Sequence, residues 1–259
     1  MTIHFTFSAR QKQAIHQVPI LSPTLLIVRQ GEKRVYTGQE QLSLMPEHAT
    51  ILPAGITPLM ENLPDNGLYF ADLFVPPRAW LLRFREQYGH LLPPLPMQHA
   101  RFKTDLALEQ ALEACKARVA SDEPWQLARL ELAWAQALLE LVRLTVASSF
   151  FIASNQPLAD HLRDLINFAP SQDWQAEKLA HQLGMSSATL RRRLQAENTS
   201  FTNLLQEVRM ARALGLVITT AQAISDIAAQ CGYESLASFS QAFKRHFEIS
   251  PSELRATQT

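Results

Sequence analysis

Apolar residues follow two different rhythms along the chain. From Ile3 to about Val75 they come in short runs, "TLLIVRQG", "QLSLM" and "ATILPAG", separated by Gly, Pro and Asn. That is the pattern of β-strands and turns in a small barrel or sandwich. After the break "VPPRAW" the spacing becomes helical, in "RFKTDLALEQALEACKARVA" and "EPWQLARLELAWAQALLELVRLTVASSFF". The second of these is apolar enough to serve either as a subunit interface or as a face buried against its own barrel. "IASNQP", Ile152 to Pro157, is short and polar with a helix-breaking Pro and reads as a linker. Everything beyond it reads as helix. The pattern predicts an α+β chain of two domains, 1–153 with strands and helices and 158–259 all helical.

The helical part contains a repeat. "KLAHQLGMSSATLRRRLQ" and "DIAAQCGYESLASFSQAFK" share one plan about 48 residues apart, with Ala180 matching Ala228 and Gly184 matching Gly232. The second turn is one residue longer, after which Leu190 and Leu194 correspond to Phe239 and Phe243. Each copy reads as helix, short turn, helix, with Ser186 as a cap in the first. Between them Phe201, Leu204, Leu205, Val208 and Ala211 mark one long helix of roughly 16 residues behind a Ser200 cap. "ISPSELR" closes the chain with a capping box of Ser250 and Glu253 and proline at the first helical position.

If Leu190 and Leu194 point inward, steps of about 100° per residue turn Arg192 straight out, with Ala188, Thr189 and Gln195 beside it and Arg191 and Arg193 on the flanks. A central guanidinium on a compact outward face suits a DNA major groove, where Arg bonds guanine O6 and N7 together; the flanking arginines suit phosphates. A rigid helix between two such units can set them in successive major grooves about 34 Å apart.

Charge confines where such binding can lie. The chain has 24 basic and 24 acidic side chains, and from Gln156 onward ten of each, so bulk attraction for nucleic acid is excluded. Local clusters, Arg191 to Arg193 and Lys244 to His246, have to provide affinity. Cys115 and Cys231 have no metal-like spacing and are expected to be reduced and structural. His48 lacks the His-x-His and Glu companions of a metal site, and no phosphate loop or nucleophile elbow occurs. No enzyme activity, cofactor or metal is therefore expected. Without an apolar run of about 18 residues or an apolar leader, the chain is expected to be cytoplasmic. Trp125 and Trp134 are read as packing residues. The polar candidates for holding an effector are Arg29, Lys33, Arg34 and Tyr36.

From about Leu158 to Arg255 the motifs "LA..LGMS...L.R.L", "SF...L...RM..A", "IA..CGY.S...FS.AFKR.F" and "SP.ELR" resemble the AraC/XylS transcription regulators. The amino-terminal "GEKRVYTG" and "ILPAGITP" look like the cupin-type β-barrel that often precedes this domain. The resemblance implies a homodimeric activator that binds double-stranded promoter DNA, contacts RNA polymerase and senses a small-molecule effector in its barrel, with no membrane partner. Carried over by position and joined to the angular reading, the DNA-contacting set is Ser187, Ala188, Thr189, Arg191, Arg192, Arg193 and Gln195 in the first unit. In the second it is Leu236, Ala237, Ser238, Gln241, Lys244 and Arg245. Leu236 and Ala237 can touch a thymine methyl but cannot bond a base edge, so the first unit is expected to supply most specificity. Asn198 and Glu248 stand where many relatives carry glycine; Glu adopts the left-handed region poorly, so the turn before Ser250 is expected to differ in shape. Rival functions are a cupin-like enzyme fused to a DNA-binding domain and a regulator controlled by a partner protein.

Overall fold

The computed structural model describes residues 3–92, 101–116, 124–144, 146–151 and 157–258. The proposed linker, Ile152 to Pro157, falls almost entirely outside them. The chain forms two compact units, one of Met1–Ala14, Ser22–Ile152 and Thr257–Thr259, the other of Ile15–Leu21 and Ala153–Ala256.

In the first unit the strands are β1 (His4–Ala9), β2 (Gln13–Ile15), β3 (Thr24–Gln30), β4 (Glu32–Thr37), β5 (Glu40–Leu44), β6 (His48–Leu52), β7 (Leu59–Leu63), β8 (Tyr69–Phe74) and β9 (Phe102–Lys103). They make a five-stranded sheet, β1-β8-β3-β6-β9, and a four-stranded one, β2-β7-β4-β5. The sheet-rich first unit agrees with the sequence pattern, but no closed sheet of the expected cupin-like barrel is seen among the described residues. Each sheet is open, with edge strands hydrogen-bonded on one side only among the described residues, whereas a barrel closes by pairing every strand twice. Strand β3 is buried on both faces from Thr24 to Val28, as expected for a continuous apolar run in a central strand.

Helices α1 (Arg78–Tyr88), α2 (Leu106–Cys115) and α3 (Pro124–Arg143) complete the unit. Their apolar stripes share one core with Leu25, Ile27, Ile51 and Phe74 of the five-stranded sheet. Of the two alternatives for the apolar segment, burial within its own unit is seen on one face of α3. Leu130, Trp134, Ala137, Leu138 and Leu141 are buried in the unit's own core, while Trp125 and Leu132 are 56% and 70% exposed. Trp134 packs as expected, stacked 6.3 Å from Phe74. Trp125 does not; its ring lies 5.9 Å from the Arg129 guanidinium.

The second unit contains α4 (Pro157–Phe168), α5 (Ala176–Gln182), α6 (Ser187–Ala196), α7 (Phe201–Thr219), α8 (Ile224–Gln230), α9 (Leu236–Phe247) and α10 (Pro251–Ala256). Helices α4 to α6 and the start of α7 share a core of Leu162, Ile166, Leu179, Leu190, Leu194, Leu204 and Val208, against which Leu21 also packs. Glu197, at the end of α6, accepts the Ala159 N–H at 2.8 Å and so caps α4. Helix α7 also touches α8, α9 and α10. At 19 residues, about 28 Å, it is slightly longer than its apolar pattern indicates. No helix among the described residues is long and apolar enough to cross a membrane.

Candidate nucleic-acid interface

Both helix-turn-helix units end their first helix in the same way. Gly184 (φ 66°) and Gly232 (φ 77°) take the left-handed conformation, and the following N–H groups reach back alike: Met185 to the Ala180 carbonyl and Tyr233 to the Ala228 carbonyl, each at 3.0 Å. This is the glycine-terminated helix end that relieves orphan carbonyls. Next, Ser186 Oγ accepts the Thr189 N–H at 3.1 Å to start α6, and Ser235 Oγ accepts the Ser238 N–H at 3.2 Å to start α9. Leu190 and Leu194 are 1% exposed, and Phe239 and Phe243 fully buried. With the inner positions fixed, the outer face follows from helical geometry.

On α6 that face carries Ser187, Ala188, Arg191, Arg192, Arg193 and Gln195, all exposed. Thr189 is half-buried, and its hydroxyl sits 2.9 Å from Ser186 Oγ. None of the three arginines pairs with a carboxylate among the described residues, so their guanidinium groups remain available to an outside partner. On α9 the exposed positions are Leu236, Ala237, Ser238, Gln241, Lys244 and Arg245. Leu236 is 48% exposed, a large apolar side chain left in water at the first position of the helix. Ser238 Oγ donates to the Ser235 carbonyl at 2.9 Å, which turns it inward to the cap. Lys244 lies 4.0 Å from Glu253, whose carboxylate also accepts the Ser250 N–H at 2.8 Å in the closing capping box. His246 stands apart from this face: its Nε2 is buried without a partner, and burial lowers its pKa.

Glu248 corrects the expected change of turn shape. It takes φ 61° and ψ 9° and ends α9 in the left-handed conformation a glycine would use, its N–H bonded to the Lys244 carbonyl at 2.9 Å. A non-glycine residue there costs roughly 1–2 kcal/mol. Asn198 does the same after α6, at φ 56°.

A groove of about 360 Å³ between α7 and α9 is lined by Thr202, Gln206, Arg209, Tyr233, Gln241 and Arg245, among others. Residue-by-residue reading of the recognition helices missed Thr202, Gln206 and Arg209. Their signal is nonetheless present: they fall at i, i+4 and i+7 on one face of α7, beside Leu205 of its apolar stripe, which also lines the groove.

Of the four effector candidates, Arg34 and Tyr36 meet at Glu61 Oε2, at 4.0 and 2.7 Å, while Arg29 and Lys33 have other partners. Arg29 donates Nε to Asp72 at 2.8 Å and two nitrogens to Glu109 at 2.7 and 2.8 Å. Burial opposes ionisation of Glu109, but the pair with Arg29 outweighs it and its pKa falls. Arg34 pairs with Glu32 at 2.7 Å, and the Tyr36 hydroxyl donates to Glu61 at 2.7 Å. Lys33 alternates with these two along β4 and is buried. Its ammonium donates to Asn62 Oδ1 at 2.7 Å, lies 5.9 Å from the Tyr69 ring and has no carboxylate partner among the described residues. Burial pushes its pKa down to about 7. Asn62 in turn donates to Gln13 at 2.8 Å, and the buried Tyr69 hydroxyl has no partner.

Residues 179–257 match a helix-turn-helix domain family. The dual transcriptional regulator Rns of Escherichia coli is 31% identical over 108 residues, covering 42% of this chain and 41% of Rns. The regulator GadX of E. coli K12 is 35% identical over 89 residues, 34% of this chain and 32% of GadX. The E. coli urease operon transcriptional activator is 31% identical over 112 residues, 43% of this chain and 38% of that protein. The chain thus spans about a third to two fifths of the length of the curated relatives it matches. In overall fold it is similar to ToxT from Vibrio cholerae, with a TM-score of 0.68 at 14% identity over 99% of this chain and 98% of ToxT. A second ToxT structure, with an unsaturated fatty acid bound, gives 0.67 at 13% identity over 99% and 95%.

Proposed function

The chain belongs, through its carboxy-terminal hundred or so residues, to the AraC/XylS family of transcription regulators, and from that premise we propose that it is a sequence-specific regulator that binds double-stranded promoter DNA. The observation that carries the proposal is the unpaired arginine face of α6, set by two buried leucines and repeated in plan by α9. Arg192 takes a guanine edge and Arg191 and Arg193 neighbouring phosphates, with Ala188 and Gln195 beside them. Leu236 and Ala237 touch thymine methyls, while Gln241, Lys244 and Arg245 hold the second unit in register. Activation through RNA polymerase fits the relatives described as activators, and the exposed Trp125 and Leu132 on α3 offer a homodimer face.

The effector belongs to the first unit. Arg29, Arg34 and Tyr36 already spend their donors on carboxylates, which leaves Lys33 with Asn62 and Tyr69 as the contact for a small organic anion. The fatty acid in the ToxT structure is a carboxylate of that class. Lys33 also gives a stability signature. Between its folded pKa of about 7 and its ordinary 10.5 the unfolded chain binds more protons, so stability rises with pH across that window, by up to about 1.4 kcal/mol per pH unit. Lys33→Met should flatten that slope in denaturant titrations.

Titration of a random duplex pool at two salt concentrations tests the DNA reading. A saturable complex enriched in particular sequences is expected; sequence-independent binding that vanishes at the higher salt would overturn it.

A further inference from the structure

Two reading units on one helix are useful only if their relative placement is fixed, and α7 has one weak point in its second half. It contains Gly215, whose position has no neighbour within 4 Å of a would-be Cβ, and an interior glycine loosens a helix. Arg209 supplies a tie beside that helix. Its Nε donates to the Pro170 carbonyl at 3.0 Å and its Nη2 to the Gln172 carbonyl at 3.2 Å. Both acceptors lie in the connection between α4 and α5, which is itself held where Trp174 Nε1 donates to the Ala169 carbonyl at 2.8 Å. The other side of the same guanidinium meets the second unit. A Cβ on Gly232 would stand 2.7 Å from Arg209 Nη2 and 2.9 Å from Cζ, whereas Gly184, its counterpart in the first unit, has nothing within 4 Å. Both turns need glycine for their left-handed backbone; only the second also needs it so that an arginine can lie against it.

Arg209 has no carboxylate partner among the described residues; two of its donors instead go to fixed backbone carbonyls. A flat fork with several donors can bridge two carbonyls and still offer a face to a passing backbone, which a lysine ammonium cannot do. We propose that Arg209 is a positioning residue: wedged between the α4–α5 connection and the Gly232 turn, it sets the placement of the second helix-turn-helix relative to the first, and with it the spacing of the two base blocks the protein accepts. The spacing part rests on the DNA-binding reading above; the placement part does not.

The test reads both. Ala188→Cys and Ala237→Cys, both at exposed positions, carry spin labels in the full chain, Cys115 and Cys231 being buried. Pulsed dipolar spectroscopy then gives the α6-to-α9 distance distribution for Arg209, Arg209→Lys, Arg209→Gln and Gly232→Ala. A single narrow distribution is expected for the parent, broadened in both Arg209 variants and displaced in Gly232→Ala. On duplexes carrying the two selected blocks at varied separation, the Arg209 variants without the cysteine substitutions and labels should lose roughly fivefold in discrimination between the best spacing and its neighbours, with base preference inside each block unchanged. Parent-like distributions in the Arg209 variants would overturn the proposal, as would unfolding of Arg209→Lys, which would make the residue a support of the fold alone. If the parent selects no paired blocks, the DNA reading fails while the distances still decide the role of Arg209.

Discussion

The two helix-turn-helix units share a backbone plan and differ in almost everything attached to it. Both have a left-handed glycine, a serine cap and two buried residues one turn apart on the second helix. Outside, α6 presents three unpaired arginines, while α9 begins with Leu236 and Ala237 and keeps its cations for its last turn. Inside, α6 buries leucines, whereas α9 buries Phe239, Phe243 and Phe247, with successive ring centroids 5.7 and 4.6 Å apart. The residues that fix the backbone are held constant because the turn tolerates few alternatives. The outer faces are free to diverge because the turn does not constrain them; in the proposed function one meets base edges and the other holds register.

That contrast can be strained from several sides. Phe243→Ala should cost the second unit about 3–5 kcal/mol, against about 2–4 kcal/mol for Leu194→Ala in the first, measured by denaturant unfolding; a larger loss at Leu194 would reverse the ranking of the two cores. In DNA binding, Arg192→Ala should cost about 1–3 kcal/mol and relax preference at one base pair. Arg193→Ala, at a phosphate, should weaken all sequences alike and lower the salt slope by about one. Leu236→Ala should change affinity by less than about 1 kcal/mol. The smallest expected effect lies at the two helix ends: Glu248→Gly should stabilise by about 0.5–1 kcal/mol and Asn198→Gly by less, since asparagine adopts the left-handed region more readily.

What the sequence made legible was local. The repeat, the caps at Ser186, Ser200 and Ser250, the inward leucines and phenylalanines and the arginine face all depend on spacings within a turn or two of helix. What it hid was long-range. Whether strands close into a barrel depends on pairing between distant segments, such as β1 with β8. Arg29 looked free because its partners, Asp72 and Glu109, lie 43 and 80 residues away. Arg209 stood inside a quoted motif, yet its acceptors are backbone carbonyls, which no side-chain pattern announces. Nor does periodicity show that Ile15–Leu21 joins the second unit. Glu248 misled for a different reason: propensity disfavours its conformation, but the helix end and the following capping box impose it.

The central claim, that α6 reads bases and α9 chiefly holds register, is tested most directly by the base-by-base information content of duplexes selected from a random pool by the intact protein. Two blocks about one helical turn apart are predicted, the richer one losing a single position when selection is repeated with Arg192→Ala. Equal information in the two blocks, or an unchanged profile in that variant, would contradict it.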